Sequence, residues 1–254
     1  MRYIGRMIRS ILAAVLLSFV CAPTAFAGKR PRDIVDVKTV IPDLVVEMRY
    51  LTPRNFVGVP IDGYRAEKCL LTRRAAEALK RVADDLRPKG YVLKVYDCYR
   101  PQRAVNQFVR WGRDIKDQKM KPEFYPNVDK RRLFNSGYIA RRSGHSRAST
   151  VDLTIIPANA PEPPVPADAQ ILACDPIWSQ RLPDASVDMG TGFDCFSTRS
   201  HTRTKSVTPT QRTNRMLLYK AMRKNGFKNN PSEWWHYTLR NEPYPRTYFD
   251  FPVE

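Results

Sequence analysis

A carboxylate sits where a strand would be buried. Residues 151–156 read Val-Asp-Leu-Thr-Ile-Ile, a β-branched run with the composition of an inner strand. Asp152 lies between Val151 and Leu153. A buried carboxylate is costly unless a cation or hydrogen-bond donors meet it. Any fold of this chain must therefore bring positive charge or a metal to residue 152; a nearby arginine would serve as well as an ion. Just upstream, Ser143-Gly-His145-Ser-Arg-Ala-Ser-Thr turns from polar to apolar and places His145 seven residues before Asp152. Ser143 and Ser146 are candidates to orient the imidazole.

A second histidine–carboxylate pair stands near the C-terminus in Glu233-Trp-Trp-His236-Tyr. Two histidines and a carboxylate suit a catalytic zinc with one position left for water. A further free carboxylate suits the general base of a zinc hydrolase. Glu233 and His236 are three apart and would face opposite sides of a flat strand. Pro231-Ser232 before them favours a loop at Glu233. The remaining histidine, His201, is kept out of the ligand set.

The chain opens with a basic stretch holding Arg2, Arg6 and Arg9, an apolar run over residues 11–20, and Ala25-Phe-Ala27. That is the layout of a secretory signal. The run is shorter than the ~20 residues of a spanning helix, so residues 1–27 read as a cleaved signal, with no stable membrane span afterwards. The expected destination is the periplasm or cell envelope. Cleavage leaves 227 residues with 40 basic and 25 acidic side chains, a net charge of +15. The basic residues are spread out and an exported protein seldom meets nucleic acid. A solvated basic face or an anionic envelope is the expected counterpart. The four cysteines of the mature chain, Cys69, Cys98, Cys174 and Cys195, suggest two disulfides. Of three pairings, Cys69–Cys98 with Cys174–Cys195 is favoured. The second closes a loop of about 20 residues, worth roughly 3 kcal/mol.

An extended lead-in over 28–42 precedes a strand over 43–50. Ala75, Leu79, Val82 and Leu86 recur at helical spacing in 71–86, with Thr72 as a cap. Residues 91–96 form a central strand. Arg100 follows at a strand-to-helix junction set by Pro101, and a helix covers about 102–115. Residues 118–142 are irregular. Seven of the 21 prolines fall in 157–188, which reads as an insertion loop. A helix over 210–225 and a strand over 233–239 complete the chain. The class is α+β, a largely antiparallel sheet flanked by helices in one domain, residues 28–254.

Asp97-Cys-Tyr-Arg-Pro, Ser143-x-His-Ser-Arg, Asp152, Met189-Gly-Thr-Gly-Phe-Asp194 and Glu233-Trp-Trp-His236-Tyr occur in this order. Together with Arg49-Tyr50, Asn55-Phe-x-Gly58, Glu242-Pro-Tyr-Pro and Tyr248-Phe-Asp-Phe-Pro, they resemble the zinc D-alanyl-D-alanine dipeptidases, including the vancomycin-resistance type. The likeness spans about 43–254 apart from the proline-rich segment. It implies the fold shared with hedgehog signalling domains and zinc DD-carboxypeptidases. It implies one Zn2+ on His145, Asp152 and His236, Glu233 as base, and Arg100 on the oxyanion. It further implies that Tyr50 and Asp194, with Ser143, hold the free ammonium of a small dipeptide. Three positions depart from the family: Ala148 and Cys98 stand at glycine positions, and Gly144 replaces a serine of resistance-type members. A carboxypeptidase on longer stem peptides and a non-catalytic wall-peptide-binding relative are the rival readings.

Overall fold

The structure is a computed structural model that describes residues 28–160, 173–175, 181 and 183–254. The expected signal, residues 1–27, lies outside the described residues, as does most of the expected insertion loop. Two strands, β1 (Ile34–Asp36) and β3 (Leu70–Thr72), pair antiparallel as a small separate sheet. The main sheet has five strands in the order β2 (Val45–Val46), β4 (Tyr91–Asp97), β5 (Thr150–Pro157), β7 (His236–Leu239) and β6 (Phe227–Asn229). Only the β2–β4 pair is parallel. The sheet is thus mixed but largely antiparallel, and the α+β expectation holds. Among the described residues no helix is long and apolar enough to cross a membrane.

Among the described residues there are four α-helices: α1 (Arg73–Leu86), α2 (Gln102–Arg113), the short α3 (Lys121–Phe124) and α4 (Pro209–Lys224). α1 buries Ala75, Leu79, Val82 and Leu86, the stripe its spacing demands. Thr72 Oγ1 accepts the Ala75 N–H at 3.3 Å, a cap worth about 1 kcal/mol. α4 starts on a capping box between Thr208 and Gln211 with Pro209 in its first turn.

Several boundaries move from expectation. The strand over 43–50 pairs only at Val45–Val46, because Arg49–Leu51 coils into a 3-10 turn that buries Tyr50. Leu70–Thr72 is a strand rather than the first turn of α1. The last strand begins at His236, leaving Glu233 in a turn, as Pro231-Ser232 suggested. α2 stops at Arg113. Pro157 is the last residue of β5 rather than the start of a loop. Both favoured disulfides are present, Cys69–Cys98 and Cys174–Cys195.

Candidate metal centre and catalytic cavity

Register builds the site. Across three neighbouring strands Asp97 pairs with Asp152, and Asp152 pairs with His236. Directly opposed residues share a face of a sheet, so these three side chains form one row at the end of β4, near the start of β5 and at the start of β7. An irregularity in β4 between Val95 and Asp97 turns the strand end at this point. A 3-10 turn, Gly144–Arg147, then delivers His145 to the row from just before β5.

His145 is fully buried. Its Nδ1 donates to the Cys98 carbonyl oxygen at 2.6 Å, which leaves the Nε2 lone pair facing the site. Nε2 lies 3.2 Å from Asp152 Oδ2 and 3.3 Å from His236 Nδ1. His236 Nδ1 is 3.0 Å from Asp152 Oδ1. That oxygen is buried and makes no hydrogen bond of good geometry. Two imidazole nitrogens and a carboxylate oxygen all lie within 4.8 Å of one another. An orphaned carboxylate oxygen amid lone pairs directed at one point is an arrangement that suits a divalent transition ion.

Glu233 Oε2 stands 3.4 Å from His236 Nδ1 and accepts a hydrogen bond from Asn230 Nδ2 at 3.0 Å. Burial pushes its carboxyl above the ordinary value, with the Asp152 charge adding to the push. Asp152 is also penalised by burial, but the His145 and His236 imidazoles hold it far below the carboxylate range. His236 loses charge stability through burial and regains more from the carboxylates of Asp152 and Glu233, so its pKa is raised.

Arg100 is clamped rather than free. Its Nε and Nη2 donate to Asp97 Oδ2 at 2.9 and 2.8 Å. Nη2 reaches to 3.6 Å from Asp152 Oδ2. The guanidinium carbon lies 5.0 Å from the ring centroids of both Tyr50 and Phe108, within cation–π range. Asp97 opens the Asp97-Cys-Tyr-Arg-Pro motif, which by itself assigns it no part in the site. Its Oδ1 accepts the Tyr64 hydroxyl at 2.6 Å and the Cys98 N–H at 2.9 Å. It thereby fixes both the arginine and the peptide that seats His145. The available signal was a carboxylate closing an apolar strand three residues before an arginine. Asn230 also went unnoticed; nothing in its local sequence marks it.

The serines behave differently from expectation. Ser143 Oγ accepts the backbone N–H of His145 at 3.3 Å as the cap of the 3-10 turn. Ser146 Oγ is buried without a hydrogen-bond partner. The backbone carbonyl of Cys98, not a serine, orients the imidazole.

A cavity of about 170 Å³ opens onto the row, well below the roughly 300–1,000 Å³ of sites for drug-sized ligands. Tyr50, Arg100, Ser143, Asp152, Asp194, Glu233 and His236 all line it. Asp194 sits at φ 55° and accepts the Tyr50 hydroxyl at 2.6 Å. Burial, then the Asp152 charge, pushes its carboxyl well above the ordinary value. Gly144 also lines the cavity. A Cβ there would stand 2.6 Å from Thr150 Oγ1, which bonds Thr238 Oγ1 at 2.9 Å. This threonine pair fills the space a serine would need. Ala148 adopts the left-handed conformation that glycine takes most readily, φ 55° and ψ 31°.

Comparison with known proteins bears on the chain as a whole. The sequence profile of Peptidase_M15, described as D-ala-D-ala dipeptidase, matches residues 30–163 and 180–254. The gap falls within the proline-rich segment. The chain is 36% identical to the D-alanyl-D-alanine dipeptidase of Enterococcus faecium over 208 residues, 82% of this chain and 92% of that protein. It is 37% identical to the one from Streptomyces coelicolor over 221 residues, 87% of this chain and 98% of that protein. For the Escherichia coli protein of the same name the identity is 31% over 207 residues, 82% and 84% of the two chains. A profile that covers most of the chain, with relatives above 30% identity over nearly their whole length, leaves one conclusion: this chain belongs to the Peptidase_M15 family of D-ala-D-ala dipeptidases and is a peptidase.

Proposed function

We propose that the chain is a zinc-dependent dipeptidase that cleaves D-alanyl-D-alanine-type dipeptides with a free N-terminus. The observation that carries this reading is the crowding of carboxylates. Asp152, Asp194 and Glu233 line one small cavity with the arginines Arg100 and Arg142, and Arg100 is already engaged by Asp97 behind it and by Asp152. A divalent ion and a substrate ammonium are the two cations that relieve it.

His145, Asp152 and His236 would hold the zinc, which supplies a Lewis acid for the scissile carbonyl and the attacking water. Glu233 takes a proton from that water and returns it to the leaving amine; its raised pKa suits both halves of the task. Arg100, held by Asp97, presents a fixed positive charge to the developing oxyanion, a contribution of about 3–4 kcal/mol for one such donor. Asp194, with Tyr50, takes the substrate ammonium, and Ser143 lines the same wall. Gaining that cation reverses the cost of ionising Asp194, so the pocket selects a free amine over a blocked one.

The mature enzyme is proposed to be residues 28–254, released by cleavage after Ala27 and exported. Buried disulfides are compatible with that route. N-terminal sequencing of secreted protein should begin at Gly28.

The deciding experiment is turnover of D,D-, L,L- and N-acetylated dipeptides with and without chelator. Cleavage of the free D,D-dipeptide alone, lost on chelation and restored by zinc, is expected. Efficient cleavage of N-acetylated substrates would move the reading to a carboxypeptidase. Zinc-free protein with no turnover would move it to a binding relative.

A further inference from the structure

A second hollow of about 660 Å³ shares no lining residue with the catalytic cavity. His201, Arg203, Tyr219, Arg223, Lys228 and Arg240 line it, and no acidic residue does. These positions are scattered along the sequence. They converge because α4 ends at Lys224, β6 begins at Phe227, and β7 returns alongside it to Leu239.

Two of the cations are aimed, not merely present. The Tyr219 hydroxyl accepts from Arg203 Nη2 at 3.2 Å and from Arg223 Nη1 at 3.0 Å. Both guanidinium carbons also lie near its ring, 5.3 and 5.6 Å from the centroid. A neutral phenol thus holds two arginines side by side, and among the described residues no carboxylate pairs with either. Lys228 and Arg240 are exposed and have no side-chain ion pair among the described residues. Many surface cations elsewhere are paired: Arg65 with Glu254, Arg103 with Asp250, Arg147 with Glu242, and Lys224, next to Arg223, with Asp85. Like charges gathered without a counter-ion repel, and an anion removes that cost.

We infer that this groove is a second binding site, for a polyanion bearing phosphate groups. The hollow exceeds any single oxyanion, and four cations call for several negative charges. Guanidinium forks match phosphate oxygens in pairs. The groove backs onto the catalytic cavity: Asn229 lines the one and the next residue, Asn230, the other. Asn229 Nδ2 donates to the Glu233 and His236 carbonyls at 2.9 and 3.0 Å.

The test uses the mature chain at about 50 mM salt. Long-chain inorganic polyphosphate is titrated in one arm and phosphatidylglycerol vesicles in the other, with phosphatidylcholine vesicles and polyglutamate as controls. The R203A/R223A variant should weaken binding about tenfold or more and leave dipeptide turnover intact. Y219F keeps the charge but frees the guanidiniums, and should weaken binding by about threefold to tenfold. R74A/R81A, which removes equal charge from α1, should change it by less than about twofold. Binding in either arm that follows this pattern supports the groove and identifies whether a soluble polymer or a head group carries the phosphate. Three results overturn it: no binding in either arm, equal loss in the α1 variant, or polyglutamate binding as tightly as polyphosphate.

Discussion

Strand β4 touches two buried charge clusters that settle their charges differently. At its middle, Lys94, 1% exposed, donates to the Asp184 carbonyl at 2.8 Å and pairs with Glu47. Arg49 pairs with Glu47 and approaches Asp184 to 3.6 Å. The Tyr96 hydroxyl donates to Asp184 at 2.5 Å. Two cations meet two carboxylates and the cluster closes on itself. At the end of the strand, Asp97 and Asp152 share Arg100, Glu233 and Asp194 stand at the same cavity, and Asp152 Oδ1 has no hydrogen bond. The first cluster holds the fold; the second leaves charge for something that arrives. Buried polarity alone does not mark a site. An unbalanced sum beside a cavity does.

The comparison can be broken most sharply at Glu233. Glu233→Ala should cost about 10²–10⁴-fold or more in kcat while bound zinc, read by elemental analysis, stays near one per chain. A variant turning over at the parental rate removes Glu233 from the mechanism. Lys94→Met in the closed cluster should do the opposite. Leaving the Asp184 carbonyl unmet and Glu47 with Arg49 alone should cost about 3–5 kcal/mol in denaturant unfolding, with little change in turnover of the protein that remains folded.

Asp194→Asn should sit between these. Loss of a charge partner for the ammonium is expected to lower kcat/KM by roughly 2–5 kcal/mol equivalent. Stability should move by less than about 1 kcal/mol, because asparagine tolerates the left-handed backbone. Ala148→Gly should raise stability by about 1 kcal/mol, since a Cβ at φ 55° is strained. The smallest effect expected is in acid. Burial opposes the Glu47 charge, but Arg49 and Lys94 outweigh it and leave its pKa below 4.5. That contribution is present above the unfolded value and is lost as pH falls through the folded one. The melting temperature of Glu47→Gln should therefore fall less steeply than the parent's below about pH 4.5.

What could be read beforehand was local. α1 carried its apolar spacing and its cap within one stretch. His145, Asp152, Glu233 and His236 stood in compact motifs beside aromatic or β-branched residues. What could not be read was register and brevity. The pairing of Asp97 with Asp152 and of Asp152 with His236 depends on three strands finding one alignment, so Asp97 gave no hint of its position. β1, β3 and β6 have three residues each, too few to show a period. The basic groove was hidden for the same reason, its cations being adjacent only after α4, β6 and β7 fold back.

The bridge between Cys69 and Cys98 carries a consequence in time. The carbonyl on which the His145 imidazole rests belongs to a half-cystine, so the bridge is one of the ties on that seat, beside the hydrogen bonds of the Cys98 and Tyr99 N–H groups. Oxidation should therefore come before metal loading as the chain matures. Protein refolded under a dithiol should take up zinc more slowly and hold it less firmly than the oxidised form, which competition with a coloured chelator would reveal. Equal uptake by both would free the histidine from any dependence on the bridge.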